Sequence, residues 1–427
     1  MAQKLGKYEL IKRIGEGASS TVFLGRDPFA QRDVAIKVAT PEVLQDPEKG
    51  KLYTHLFLNE ASLVGKLNHP HIVQIFDAVV TEKQCYIVME YVAGGTLEPH
   101  AQPGRLLPID HVVELVFKCT RALDFAHRQG ITHRDIKPAN ILLAGRSDIK
   151  ISDFGTAITS TRSDRTQVAA IGSPAYMSPQ QVHEDDLDHR TDIYSLGVVL
   201  FQLLTGELPF QANNNWNMVY QIVHNEAPKP STLRPGLPPI LDEIVARAMA
   251  KCLEDRYPNW EEFAQDLAQA VRTRQLKIAQ PDFAETEKFA TLRSMPFFAD
   301  FNDVEIWEVL RFSTWERVIP GTKIMRDGEP GDFFCFLADG ELNVSKGGKV
   351  LNLLTNGDCF GEMAVINQRH AQTRGADVTA LTRADIITVR GEALEQASVA
   401  CRMHFYQSFL EVLSTRLAFA NQRMAAY

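Results

Sequence analysis

The chain has 427 residues, 45% hydrophobic and 23% charged, with a formal net charge of −8. That is too much sequence for one core, and at about 150 residues per domain it predicts two or three. The composition excludes a disordered chain, and the acidic balance excludes a general nucleic-acid binder, which needs a basic footprint. Residues 1–8 carry charge but no apolar run follows them, so no secretory signal is read there. The longest apolar stretch, Leu196 to Leu204, is interrupted by Gln202 and is far short of the roughly 20 residues that span a bilayer. A cytoplasmic protein without a membrane span is expected. Cys85, Cys119, Cys252, Cys335, Cys359 and Cys401 show no Cys-x-x-Cys spacing, so they read as small hydrophobes rather than a zinc site or disulfide framework.

Tyr8 to Ile14 reads as a strand, followed by a turn, Gly15-Glu16-Gly17-Ala18-Ser19-Ser20, and a second strand from Thr21. Gly15 and Gly17 let backbone N–H groups approach phosphates, and the small residues after them keep the tip open. A dinucleotide loop would lead into a helix, whereas here the turn leads into β-branched Thr21 and Val22. Val34-Ala35-Ile36-Lys37 is a strand ending in a cation. Residues 56–67 have helical apolar spacing and carry Glu60, the natural partner to hold Lys37 against α- and β-phosphates, with Glu42 and Glu48 as alternatives in a loop. Cys85 to Val92 reads as a buried strand running into Gly94-Gly95, a hinge whose Glu90 and Val92 main chain suits an adenine edge. Val22, Ala35 and Leu142 are the residues expected to sandwich the ring.

The centre of the chain is His133-Arg134-Asp135-Ile136-Lys137-Pro138-Ala139-Asn140, completed by Asp153-Phe154-Gly155. Between Asn140 and Asp153 two short apolar runs flank a turn, the pattern of a hairpin. A hairpin returns the chain to its starting end, so Asn140 and Asp153 are expected side by side as oxygen ligands for Mg²⁺. Asp135 lies near enough to accept a proton from a hydroxyl directed at the same phosphate.

Taken in order, Gly15 to Asp153 resembles the eukaryotic-type protein kinase family, over about residues 8–272. The resemblance implies a bilobal α+β fold, ATP and Mg²⁺ as cofactors, Asp135 as catalytic base, and Lys37 and Glu60 as the ATP-anchoring pair. Lys137 implies serine or threonine hydroxyls of protein substrates as acceptors. Arg134 is similar to the arginine that senses a phosphate on the activation loop. Here that loop offers Thr159, Ser160, Thr161, Ser163 and Thr166, and Ser173 stands in the substrate-facing segment where threonine is usual. Where the family has a glutamate paired with a buried arginine, this chain has Gln180, with Arg256 as the arginine, so a carboxylate elsewhere or solvent is expected to compensate the charge. Asp192 resembles the residue that braces the catalytic loop.

Residues 242–275 have helical spacing, and Gln280-Pro281-Asp282 marks a boundary, with 273–288 as linker. Residues 285–295 read as a short helix. From Pro296 onward, short strands punctuated by glycine predict a β-barrel or jelly roll. The stretches Gly328 to Leu342 and Gly357 to Ala364 resemble the cyclic-nucleotide-binding domain family, over residues 289–415. The resemblance implies that Glu362, after Gly361, accepts from the ribose 2′-hydroxyl. It implies that an arginine, Arg374 with Arg369 as the alternative, pairs with the cyclic phosphate through its guanidinium fork. Amides after Gly361 are further phosphate donors. Gly375 lacks the hydroxyl that cyclic-GMP binders use, so cyclic AMP is expected ahead of cyclic GMP. Residues 397–423 read as one or two amphipathic helices, with closing the pocket, homodimerisation or capping the barrel as alternative roles, and 416–427 as their end.

The reading is a serine/threonine protein kinase regulated by a cyclic nucleotide. The alternatives are an active kinase whose barrel is a ligand-free interaction or dimerisation module, and a pseudokinase scaffold.

Overall fold

The sequence of β-branched and aromatic runs separated by turns builds the first sheet. The computed structural model describes residues 4–17, 20–40, 57, 61–63, 65–81, 85–145, 147–154, 158–159, 174–272, 284–363 and 373–425, with backbone alone at 158–159 and 419–425. It divides into two compact units, Met1–Gln280 and Pro281–Tyr427. In the first, β1 (Lys4–Leu5), β2 (Tyr8–Glu16), β3 (Ser20–Asp27), β4 (Arg32–Ala39), β5 (Ile75–Val80) and β6 (Cys85–Glu90) form one antiparallel sheet in the order β1-β2-β3-β4-β6-β5. Strand β6 is central and buried, which is why it reads as a continuous apolar run rather than an alternating one.

The remainder of this unit is mainly helical. Helix Ile109–Arg128 and helix Arg190–Thr205 are its interior, with Val112, Leu115, Val116, Leu196, Val199 and Leu203 buried. The second ends on Gly206 in the left-handed conformation, the usual stop for a helix. Two small ladders attach to these helices: β7 (Ile131–Thr132) pairs with β10 (Ile158–Thr159), and β8 (Ile141–Leu143) pairs with β9 (Ile149–Ile151). The helical spacing of residues 242–275 resolves into two helices, Pro239–Ala248 and Trp260–Arg272, rather than one. Between them Arg256 and Tyr257 turn inward, and Pro258 disfavours helix at the residue before it.

In the second unit, helices Glu285–Ser294 and Asp303–Phe312 precede eight strands. Strands β11 (Ser313–Val318), β12 (Lys323–Met325), β13 (Phe333–Asp339), β14 (Leu342–Lys346), β15 (Lys349–Leu354), β16 (Cys359–Phe360), β17 (Asp377–Ala380) and β18 (Ala384–Arg390) form two four-stranded antiparallel sheets, β11-β18-β13-β16 and β12-β17-β14-β15. Every strand contributes to one core: Val318, Met325, Cys335, Leu337, Leu342, Leu354, Phe360, Val378, Ala380, Ala384 and Ile386. This is the β-barrel that the glycine-punctuated strands predicted. Strand β13 is buried on its other face as well, where Phe334 and Phe336 meet Phe297, Phe298 and Phe409 with ring centroids 4.8–5.1 Å apart. Phe405 and Phe409 belong to the helix Val399–Ala425, which is continuous across residue 415, so the end of the barrel domain and the C-terminal helix are one element.

Candidate active site and effector pocket

The β8–β9 hairpin fixes the centre. Its register pairs Ile141 with Ile151 and Leu143 with Ile149, and beyond the open end Ser152 N donates to Asn140 O at 2.9 Å. Asn140 and Asp153 are thereby brought to the same end of the hairpin, as the sequence predicted. Asp135 joins them: its Oδ2 accepts from Asn140 Nδ2 at 3.0 Å and from Lys137 Nζ at 2.8 Å. Lys37, arriving from β4, hydrogen-bonds Asp153 Oδ1. Burial pushes the Asp153 carboxyl up, but the charge and hydrogen bond of Lys37, with His133 and Lys137 behind them, outweigh it and hold the group below the usual carboxylate range. An ionised carboxylate and a carboxamide whose nitrogen is committed to Asp135 form an oxygen donor set that fits Mg²⁺.

Asp192 holds the loop that carries the base. It is buried in helix Arg190–Thr205, and its two oxygens accept from His133 N and Arg134 N, each at 2.7 Å. Burial raises this carboxyl, while the His133 and Arg134 groups partly offset the rise. Arg134 has φ 69°, a left-handed conformation that costs a non-glycine residue about 1–3 kcal/mol. The two Asp192 bonds, together with Gln181 Nε2 to Arg134 O at 2.9 Å, impose it. Gln181 was not singled out by the sequence reading. Its signal is the capping box it forms with Ser178 at the start of helix Pro179–Val182.

On the nucleotide side, Val22, Ala35 and Leu142 do come together, in a cluster with Val73, Met89 and Val92. Gly15 lies in β2 opposite Val22, and Gly17 N donates to Ser20 O at 2.8 Å. Glu90 N donates to Gln74 O, and its carboxylate meets Lys150 Nζ, each at 2.9 Å. Glu60 lies outside the described residues, as do Glu42, Glu48, Gly155 and residues 160–173 of the activation loop; Thr159 is described by backbone alone.

The second constellation is in the barrel. Arg374 is buried; its Nη1 donates to Gly361 O at 2.9 Å and its Nη2 to Phe333 O at 2.7 Å, with the guanidinium 4.5 Å from the Phe333 ring centre. Gly361 has φ 78°, and a Cβ there would collide with Met325 and stand 2.8 Å from Arg374 Nη1. Glu362 is buried beside it, but it is not alone: Arg416, from helix Val399–Ala425, donates Nη1 to Glu362 Oε1 at 2.7 Å and Nη2 to Cys359 O. No local sequence signal marks Arg416, because its partner is 54 residues away. Asp377, three residues after Arg374, is held by Lys323 Nζ and Asp327 N, each at 2.9 Å, instead of by the arginine. Arg369 lies outside the described residues.

Two family comparisons match this chain: the protein kinase domain over residues 8–270 and the cyclic nucleotide-binding domain over residues 315–399. Among curated proteins it is similar to the serine/threonine-protein kinase PknB of Mycobacterium leprae, 39% identical over 267 residues. PknB of Mycobacterium tuberculosis is likewise 39% identical, over 268 residues, and the probable serine/threonine-protein kinase PknB of Lactococcus lactis is 36% identical over 264. Each match covers 61% of this chain and 42% of the relative's length. Among the described residues no helix is long and apolar enough to cross a membrane.

Behind the substrate-facing segment, the expected compensation of Arg256 by a carboxylate or solvent is corrected. The buried guanidinium donates to Gln180 Oε1 at 3.0 Å, to Ala250 O at 2.7 and 3.0 Å, and to Arg190 O at 2.9 Å, over the ring of Tyr194. Gln180 also donates to Lys251 O at 3.0 Å, which a glutamate could not do. The neighbouring Lys251 gives its Nζ to Ile222 O at 2.6 Å, and burial pulls its ammonium down from 10.5 to about 8. Between those values the unfolded chain binds a proton that the folded chain has released, so stability rises with pH. Urea unfolding from pH 8 to pH 10 is expected to show that slope in the wild-type chain and a shallower one in Lys251→Met; identical slopes would contradict the assignment.

Proposed function

We propose that this chain, which belongs to the protein kinase family, transfers the γ-phosphate of ATP to serine and threonine hydroxyls of proteins, and that its cyclic nucleotide-binding domain regulates that transfer. The chain spans about two fifths of the length of the curated relatives it matches, so the activity rests on its own residues. The observation that carries it is the convergence of Lys37, Asp135, Lys137, Asn140 and Asp153 on one end of the hairpin. Asp135 accepts the proton of the attacking hydroxyl. Lys137, 2.8 Å from that carboxylate, supplies positive charge beside the phosphate in flight. Lys37 orients the phosphates from the β4 side, and Val22, Ala35 and Leu142 enclose the adenine ring. Mg²⁺, held by Asn140 and Asp153, neutralises charge on the phosphates when bound. Six free cysteines among the described residues suit a reducing compartment, and a cytoplasmic setting belongs to this reading.

In the barrel, Arg374 would meet the cyclic phosphate and Glu362 the ribose hydroxyl. Cyclic AMP is favoured because Gly375 offers no hydroxyl. Arg416 and the ligand share Glu362, which gives the C-terminal helix a direct stake in occupancy. The same helix supports self-association. Its inward face carries Cys401, Phe405 and Phe409, while Val399, Met403, Tyr406, Leu410 and Leu417 are exposed. With partly buried Leu413 these follow a 4-3-4-3-4 spacing, the seam of a two-stranded coiled coil. Their exposed area is on the order of 600 Å² per copy, against about 800 Å² per partner in a standard interface, so a weak homodimer is expected.

Asp135→Asn is expected to lower phosphoryl transfer to a basic protein substrate by about 10²–10⁴-fold while leaving the thermal shift with Mg²⁺/ATP in place; turnover near wild type would remove Asp135 from its role. Cyclic AMP is expected to raise the Tm of the full chain and to change its rate of phosphorylation, both effects being lost in Arg374→Ala. If neither cyclic AMP nor cyclic GMP shifts the Tm, the barrel is an interaction module instead. In sedimentation, Leu410→Arg is expected to abolish a concentration-dependent dimer, and a strictly monomeric wild-type chain would refute the seam.

A further inference from the structure

The far end of the catalytic hairpin holds a buried charged cluster with no part in the chemistry described so far. Lys118 sits on the inward face of helix Ile109–Arg128, fully buried between Leu115, Val116, Cys119 and Ala122. It hydrogen-bonds Ser147 O in the hairpin turn and lies 3.6 Å from Asp148 Oδ1 and 3.7 Å from Glu114 Oε1. The same Asp148 oxygen is 3.0 Å from His71 Nδ1 and accepts from Ile149 N at 3.0 Å. Burial lowers the His71 imidazole, against the opposing pull of the Asp148 carboxylate. Burial pushes the Asp148 carboxyl up, but the hydrogen bond and charge of His71 and the charge of Lys118 drive it well below the usual range.

A core position needs only an apolar side chain, and burying an ammonium costs several kcal/mol unless it is well partnered. What the cluster holds accounts for its presence. A two-stranded hairpin is marginal on its own. Here β9 is joined at Ile151 by residues 71–73: Ile151 N donates to His71 O and Val73 N to Ile151 O, each at 2.9 Å. His71 therefore grips the hairpin twice, by main chain at Ile151 and by side chain at Asp148, and Lys118 holds the turn from helix Ile109–Arg128.

We propose that His71, Asp148 and Lys118 form a positioning clamp that sets the register of the β8–β9 hairpin, and through it the spacing of Asn140 and Asp153. None of the three touches substrate. The proposal rests on the kinase reading above, since a displacement of about 1 Å at a reacting centre can cost about 100-fold in rate.

The test uses the full chain with Asp148→Asn, Lys118→Met and the double variant. The half-saturating Mg²⁺ concentration is read from the thermal shift with a non-hydrolysable ATP analogue, and kcat and peptide KM are read separately. The expected result for each single variant is a severalfold rise in that Mg²⁺ concentration and a fall of about tenfold or more in kcat, with peptide KM unchanged. The double variant is expected to lose less than the two single losses combined, because the partners are coupled. Folded variants with a lower Tm but wild-type Mg²⁺ dependence and kcat would overturn the clamp and leave the kinase reading standing. A wild-type chain that binds the analogue and never transfers phosphate would sink both. Should Lys118→Met fail to fold, Asp148→Asn alone decides.

Discussion

The two hydrogen bonds that Asp192 accepts from the backbone of His133 and Arg134 are the constraint on which the catalytic loop depends. Asp192 projects from the first turn of a helix whose Ile193, Leu196 and Val199 are completely buried, which makes it a rigid platform. By fixing two consecutive N–H groups, it holds Arg134 in a left-handed conformation that the residue would not choose. The next residue, Asp135, then faces Lys137 and Asn140. Strain at one residue becomes the orientation of the base, and the cost is met by helix packing far from the chemistry.

Two buried arginines of this chain share a second device: they are answered by backbone carbonyl oxygens rather than by carboxylates. Arg256 takes the carbonyls of Ala250 and Arg190, and Arg374 those of Gly361 and Phe333, whereas buried Lys118 and Arg121 stand beside carboxylates. Carbonyls satisfy the donors without cancelling the charge. For Arg256 this makes Gln180 a sufficient partner, because the amide need supply only one acceptor and can return a donor to Lys251 O. For Arg374 it leaves a positive group in a pocket wall, and among the described residues no carboxylate forms a salt bridge with it. That is the electrostatic state a phosphate requires.

Short motifs were legible in the sequence because their spacing carries its own geometry. The hairpin between Asn140 and Asp153 is one example, since turn residues between two apolar runs force the ends together. The glycine-punctuated barrel is another, since glycines mark most of the turns between its short strands. Partnerships across long separations were not legible. Arg416 lies 54 residues from Glu362 and His71 lies 77 residues from Asp148, and nothing local distinguishes either from an ordinary surface or core side chain. The helical spacing of residues 242–275 misled for a related reason. Periodicity records which residues face inward, and Arg256 and Tyr257 face inward from a connector between two helices.

For the cyclic nucleotide proposed above, little change would link occupancy to the helix that carries Arg416. Glu362 is buried and already partnered, so a ribose hydroxyl does not have to rescue an isolated charge; it has to be accommodated beside Arg416. Arg416 holds Cys359 O as well as Glu362, so displacing it would free the end of β16 and the outer half of helix Val399–Ala425 together. That half carries Leu413 and Leu417, while Phe405 and Phe409 stay anchored in the aromatic cluster. A ligand that competed with Arg416 would therefore act on the exposed seam without unpacking the barrel, and one that tolerated it would stiffen the seam instead. The sign of the proposed regulation would turn on that single guanidinium.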